Sequence, residues 1–141
     1  MMVSDAKLRE IFATTKTIAL VGYSAHPDRP SHMVARFLQA KGYRVIPVNP
    51  GLAGQTALGE TVYADLAAIP PEIEVDMVDI FRRSEAMPDI TRDALAHLPH
   101  LQVVWMQIGV GNEEAEALAR QAGKTVVADR CPKIEMPRLG L

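Results

Sequence analysis

One cysteine, Cys131, stands in 141 residues. A single thiol permits no intrachain disulfide and cannot by itself build a zinc site of the multi-cysteine kind. An excess of either charge is missing as well. The 15 basic and 17 acidic residues leave a net charge of −2 with the signs interspersed, so there is no basic surface for a nucleic-acid backbone and no acidic tail. Nucleic acid is not an expected partner. No apolar run approaches a membrane span, and the opening MMVSDAKLREIFATTK carries acids and bases where a signal peptide needs an apolar core. A cytoplasmic protein away from the membrane is expected. Repeats and low-complexity tracts are absent. A chain of 141 residues with 48% hydrophobic and 23% charged side chains is one globular domain's worth, residues 1–141.

What is present is an alternation. TIALVG (17–22), YRVIPVN (43–49), VDMVDIF (75–81), LQVVWMQIG (101–109) and KTVVAD (124–129) are rich in β-branched and aliphatic residues and read as strands buried on both faces. Between them, SHMVARFLQAKG, SEAMPDITRDALAHL and NEEAEALARQAG repeat their apolar residues at helical spacing, and two close on a glycine suited to a C-cap. The expected fold is α/β: a Rossmann-like, doubly wound parallel sheet of about five strands with helices on both faces. A leading helix capped by Ser4 or Asp5 should precede it. The segment GLAGQTALGETVYADLAAIPPE reads as loop, a short strand near Thr61 to Tyr63, and a helical turn or two. The closing CPKIEMPRLGL, with two prolines and no clear period, is expected to wrap across the surface.

Ligands of open parallel sheets sit beyond the carboxyl ends of the strands, where strand order reverses. That rule selects GYSAHPDRPS, NPGLAG, FRRSE, QIGVGN and DRCPK. In the first, Gly22 lacks the two further glycines of a dinucleotide fingerprint. Its bare backbone and the start of a helix near Ser31, with Arg29 and Pro30 beside it, suit an anion. A tight turn with an ordinary serine cap explains them equally well. NAD enzymes end their second strand on an acid, whereas here it ends Val48-Asn49-Pro50, with Arg44 at its start. This disfavours NAD and fits a nucleotide with an extra phosphate, although Asn49-Pro50-Gly51 is also simply a turn composition. Arg82 and Arg83 can meet phosphates or stack on adenine, with at most one expected to touch ligand. Gln107, Ile108 and Gly109 offer an amide and bare backbone, and Trp105 is expected in the core.

No nucleophile, base and metal set converges on these loops. His26 and His32 are expected at the surface. His97 and His100 flank Pro99, a poor platform for metal ligands, and Glu113, Glu114 and Glu116 suit a helix N-terminus. Cys131 follows Arg130, which can favour its thiolate; a buried, inert thiol is the more frequent fate.

The stretches IALVGYSAHPDRPSHMVARFLQAKGYRVIPVNPG, VDMVDIFRRSE, VVWMQIGVGNEEAEALARQAG and VVADRCPKIE, in this order and spacing, resemble the small stand-alone CoA-binding proteins of the YccU type. Their domain is similar to the N-terminal CoA-binding part of the succinyl-CoA synthetase alpha subunit. The resemblance implies coenzyme A, with phosphates and pantetheine near Gly22, Tyr23 and Ser24 and the adenosine end reaching Arg44, Val48, Asn49 and Pro50. Phe81 and Arg82 would flank the nucleotide, and Gln107 and Gly109 would border the pantetheine. Tyr23 stands where the family more often has a small residue, so its ring is expected to fill part of the loop. The synthetase's second domain is not expected, as the chain ends at Leu141. The expected function is non-covalent binding of CoA or acyl-CoA without catalysis. Because CoA is a thiol, a mixed disulfide with Cys131 under oxidation is one chemistry open to it. The alternatives are an NADP-dependent reductase, motivated by Arg44 and the missing ribose acid, and a ligand-independent interaction module. A homodimer or a protein partner stays open.

Overall fold

A computed structural model describes residues 3–141; Met1 and Met2, at the head of the expected domain, lie outside the described residues. Helix α1 (Asp5–Thr14) starts at Ser4, whose side chain accepts from the Lys7 backbone N–H. Strand β1 (Thr17–Val21) leads into α2 (Pro30–Ala40), then β2 (Arg44–Val48). A hairpin of β3 (Thr56–Ala57) and β4 (Glu60–Thr61) follows, and then β5 (Met77–Ile80) and α3 (Met87–His97). Strand β6 (Val103–Met106), α4 (Glu113–Gln121), β7 (Thr125–Ala128) and α5 (Pro132–Arg138) complete the chain.

The main sheet has five parallel strands in the order β2-β1-β5-β6-β7. The chain therefore winds outward from β1 in one direction to β2 and in the other to β5, which makes β1/β5 the switch point. Alternate residues feed two cores. Ile18, Leu20, Met77, Val103 and Trp105 meet α1, α2 and α5 on one face. Ala19, Val21, Val78, Ile80, Val104 and Met106 meet α3 and α4 on the other. Apolar packing on both sides is why these strands read as continuous hydrophobic runs.

Specific polar contacts fix the ends of the strands. Asp76 accepts from the backbone N–H groups of Lys16 (2.8 Å) and Thr17 (2.9 Å) with one carboxylate oxygen, fixing the entry to β1. Trp105 lies wholly buried, as expected, and its indole N–H donates to the Arg130 carbonyl at 2.8 Å. The buried indole thus has the partner it needs.

The closing segment departs from expectation, because residues 132–138 form a helix. Pro132 takes the first helical position, where no N–H is required, and Pro137 falls in the last turn. Arg138 then ties this helix to α1 through Asp5 and to its own Glu135, each at 2.9 Å. The irregular middle segment gains an unexpected β3, paired antiparallel with β4, and its Tyr63 bridges Val48. Among the described residues no helix is long and apolar enough to cross a membrane.

Candidate functional site

The loops beyond the carboxyl ends of β1, β5, β6 and β7 enclose an open crevice of about 980 Å³. Gly22, Tyr23, Ser24, Arg29, Pro30 and Ser31 line its β1 side, and Asn49 reaches it from β2. Phe81, Arg82 and Arg83 come from β5, Gln107, Ile108 and Val110 from β6, and Cys131 and Ile134 from beyond β7. A smaller cavity of about 230 Å³ adjoins it, sharing Gly22 and Arg82 and adding Val48, Pro50, Ala64 and Asp65.

Gly22 marks the bend out of β1. Its φ is +87°, and a Cβ there would stand 2.4 Å from the Phe81 carbonyl oxygen. The demand for glycine thus comes from the protein's own backbone, whatever ligand lies above it. Asn49 holds the same junction: its amide N–H donates to the Tyr23 carbonyl and its side-chain oxygen accepts from Gly51 N–H, both at 2.7 Å. These bonds bear out the turn reading of Asn49 and stitch the β1 and β2 loops together. Tyr23 is buried, and desolvation pushes its phenol above its ordinary pKa. Its ring faces His32 with centroids 5.8 Å apart.

His26 is exposed, as expected, but His32 is only half-exposed. Its Nδ1–H donates to the Ser24 carbonyl at 2.9 Å, which holds the loop against α2. Helix α2 begins at Pro30, one residue earlier than expected, and its cap residue Arg29 makes no side-chain hydrogen bond. Ser31 is therefore inside the first turn and is not the cap. An uncapped N-terminus turned to a crevice is a place for an anion. Arg29, Arg82 and Arg83 surround that place, while the arginine ion pairs among the described residues engage Arg44, Arg92, Arg120, Arg130 and Arg138.

Arg44 and Gly109 line neither cavity. Arg44 opens β2 and so lies at the amino end of the sheet, roughly 13 Å along the strand from Val48 at 3.3 Å per residue. There it forms a two-pronged pair with Glu60 at 2.8 and 3.0 Å. Gly109 instead donates its N–H to Asp129 Oδ1 at 2.9 Å. Val48 and Pro50 face only the smaller cavity. Cys131 lines the crevice but is 8% exposed, and the neighbouring Arg130 is held by Glu135 at 2.6 Å.

Two buried polar residues stand out, the expected Gln107 and Asp79, which the sequence reading does not single out. Gln107 is buried with its side-chain oxygen unpartnered at the crevice wall. Asp79 is fully buried in β5 between Leu20 and Trp105, with neither carboxylate oxygen partnered. Burial alone drives its pKa well above the ordinary aspartate value. An acid inside an otherwise apolar strand was the available signal.

The profile of the family described as "CoA binding domain" matches residues 16–137. The chain belongs to the CoA-binding domain family. Protein YneT of Bacillus subtilis, itself uncharacterized, is 41% identical over 131 residues, 93% of each chain. The alpha subunit of the ADP-forming succinate–CoA ligase of Methanothermobacter thermautotrophicus is 29% identical over 101 residues, 70% of this chain and 34% of the subunit. This CoA-binding domain protein thus spans about a third of that subunit's length. A Thermus thermophilus protein of solved structure superposes with a TM-score of 0.90 at 39% identity, covering 97% of this chain and 99% of that one. The family resemblance and the α/β fold read from the sequence both stand.

Proposed function

We propose that this single domain binds coenzyme A or an acyl-CoA non-covalently, in the cytoplasm, and performs no reaction on it. The observation that carries the reading is the crevice at the β1/β5 switch point. There the uncapped start of α2 and three arginines without ion pairs among the described residues, Arg29, Arg82 and Arg83, converge in a CoA-binding domain protein. Phosphates lie against these groups. The adenosine enters the smaller cavity beside Val48, Pro50 and Arg82, and the pantetheine runs past Gln107, whose bare oxygen can accept from an amide N–H of that arm. The reductase alternative keeps the missing ribose acid but loses its basic group, since Arg44 is bound to Glu60 at the opposite end of β2.

Calorimetry with CoA, dephospho-CoA, NAD and NADPH under one set of conditions tests this. Saturable binding of CoA, with NAD and NADPH silent, is expected. A loss on removing the 3′-phosphate would assign that group to one of the three arginines. Binding of NADPH alone would sink the proposal in favour of a reductase, and silence from all four would favour an interaction module.

A further inference from the structure

The crevice changes character across the sheet. Over β1 and β5 it is cationic and bare-backboned, with Gly22, Arg29, Arg82 and Arg83. Toward β6 and β7, one to three strand spacings along the order β1-β5-β6-β7 or roughly 5 to 14 Å, it is walled by Ile108, Val110, Cys131 and Ile134. Among the described residues no charged side chain lines that end. Ile108 and Ile134 are also 54% and 55% exposed, among the few large apolar residues of the described chain left open to water. Single exposed apolar residues are ordinary, but two at the mouth of one crevice, Ile108 on the loop after β6 and Ile134 on α5, form a patch that a ligand or partner would cover.

We infer that this rim is a subsite for an uncharged aliphatic acyl group carried on the CoA sulfur. The inference rests on the CoA reading above and gives it a direction. Phosphates held over β1/β5 and a pantetheine arm running past Gln107 bring the thioester to β6 and β7. Anything attached to the sulfur then meets Ile108 and Ile134. A ligand with an anionic head and an apolar tail matches this gradient, whereas a terminal carboxylate would be desolvated there without a cation among the lining residues.

The test is calorimetry of the intact protein with CoA, butyryl-CoA, octanoyl-CoA and succinyl-CoA. A fully buried methylene is worth about fourfold in Kd, and a rim open on one side realises about half that free energy, roughly twofold per methylene. Octanoyl-CoA is expected to bind on the order of 100-fold tighter than CoA if its whole chain meets the rim, with butyryl-CoA several-fold tighter than CoA and succinyl-CoA weaker than butyryl-CoA. In Ile108→Ser and Ile134→Ser, both surface changes compatible with folding, the ratio of octanoyl-CoA to CoA affinity should fall toward one. Equal affinities for CoA and octanoyl-CoA, or a preference for succinyl-CoA, would overturn the subsite while leaving CoA binding intact. Absence of binding by every thioester and by CoA would overturn both readings. A dimer that Ile134→Ser converts to monomer, with no acyl preference, would make the rim a contact between copies and equally overturn the acyl assignment.

Discussion

Replacing Asp79 with asparagine should change how stability depends on pH while leaving shape almost unaltered. The aspartate is fully buried, neither oxygen has a partner, and burial raises its pKa well above the ordinary 3.8. In the folded protein it therefore keeps its proton at pH values where the unfolded chain has already released it. Between the two pKa values the native state binds one proton more than the unfolded state. The sign follows from linkage: this group's favourable contribution is complete below the unfolded pKa and is lost as pH rises through the raised folded value. Throughout that interval the loss runs at about 1.4 kcal/mol per pH unit, against a total stability for a domain of about 5–15 kcal/mol. The asparagine variant keeps all other titrating groups, so subtracting its profile isolates Asp79. Urea denaturation of both proteins at intervals from pH 4 to 8 is the assay. The variant should gain on the parent by about 1.4 kcal/mol per pH unit and then hold a constant lead, the break giving the folded pKa. Parallel profiles would show that the carboxyl finds a partner or water, and the argument from desolvation would fail.

Gly22→Ala should cost about 2–4 kcal/mol, combining the left-handed φ with a Cβ driven into the Phe81 carbonyl, as read from a urea midpoint. A loss below about 0.5 kcal/mol would mean that the β1 and β5 loops yield easily. Arg82→Ala should weaken CoA about 10- to 100-fold in calorimetry, the worth of one charge-assisted hydrogen bond. Arg44→Ala should leave the affinity within about twofold, since only the partly exposed Glu60 pair is lost; the reverse ranking would return the adenosine end to the amino edge of β2. Cys131 is the chain's one thiol and lines the crevice. Its alkylation by iodoacetamide, followed by intact mass, should slow at least severalfold in saturating CoA; an unchanged rate would move the pantetheine away from β7.

The strands were legible because a parallel sheet covered on both faces asks one thing of sequence, a short unbroken apolar run, and TIALV and VVWM supply it. Helix α5 was not, because its prolines count against a helix until their positions are known. Pro132 at the first position removes an N–H that would have been unpaired anyway. The two-residue strands β3 and β4 are too short to show any period. Of the proposed contacts, Gly22 through Ser24, Arg29 through Ser31, Asn49, Phe81, Arg82 and Gln107 come together because the strand-end rule selects loops by position. The same rule excludes Arg44, which begins its strand; charge logic had kept it. Ile134 lies in the closing segment expected to wrap across the surface and is 55% exposed, but nothing in its sequence context ties it to the crevice.

Gly22 shows where such reading misleads. A glycine after the first strand of an α/β sheet invites a phosphate, yet here its φ and the Phe81 carbonyl already require it. The residue would be glycine in a protein that bound nothing. Conversely, Arg82 and Ile108 need no particular side chain for the fold, being exposed on loops, and a solvated arginine without an ion pair or a lone isoleucine in water is close to neutral for the folded chain. Information about the ligand therefore sits in residues the fold does not explain. That contrast sets the order of experiments: substitutions at Gly22 report on packing first, whereas Arg82 and Ile108 can be changed without that confusion. An affinity loss there, with the urea midpoint unmoved, would belong to the ligand alone.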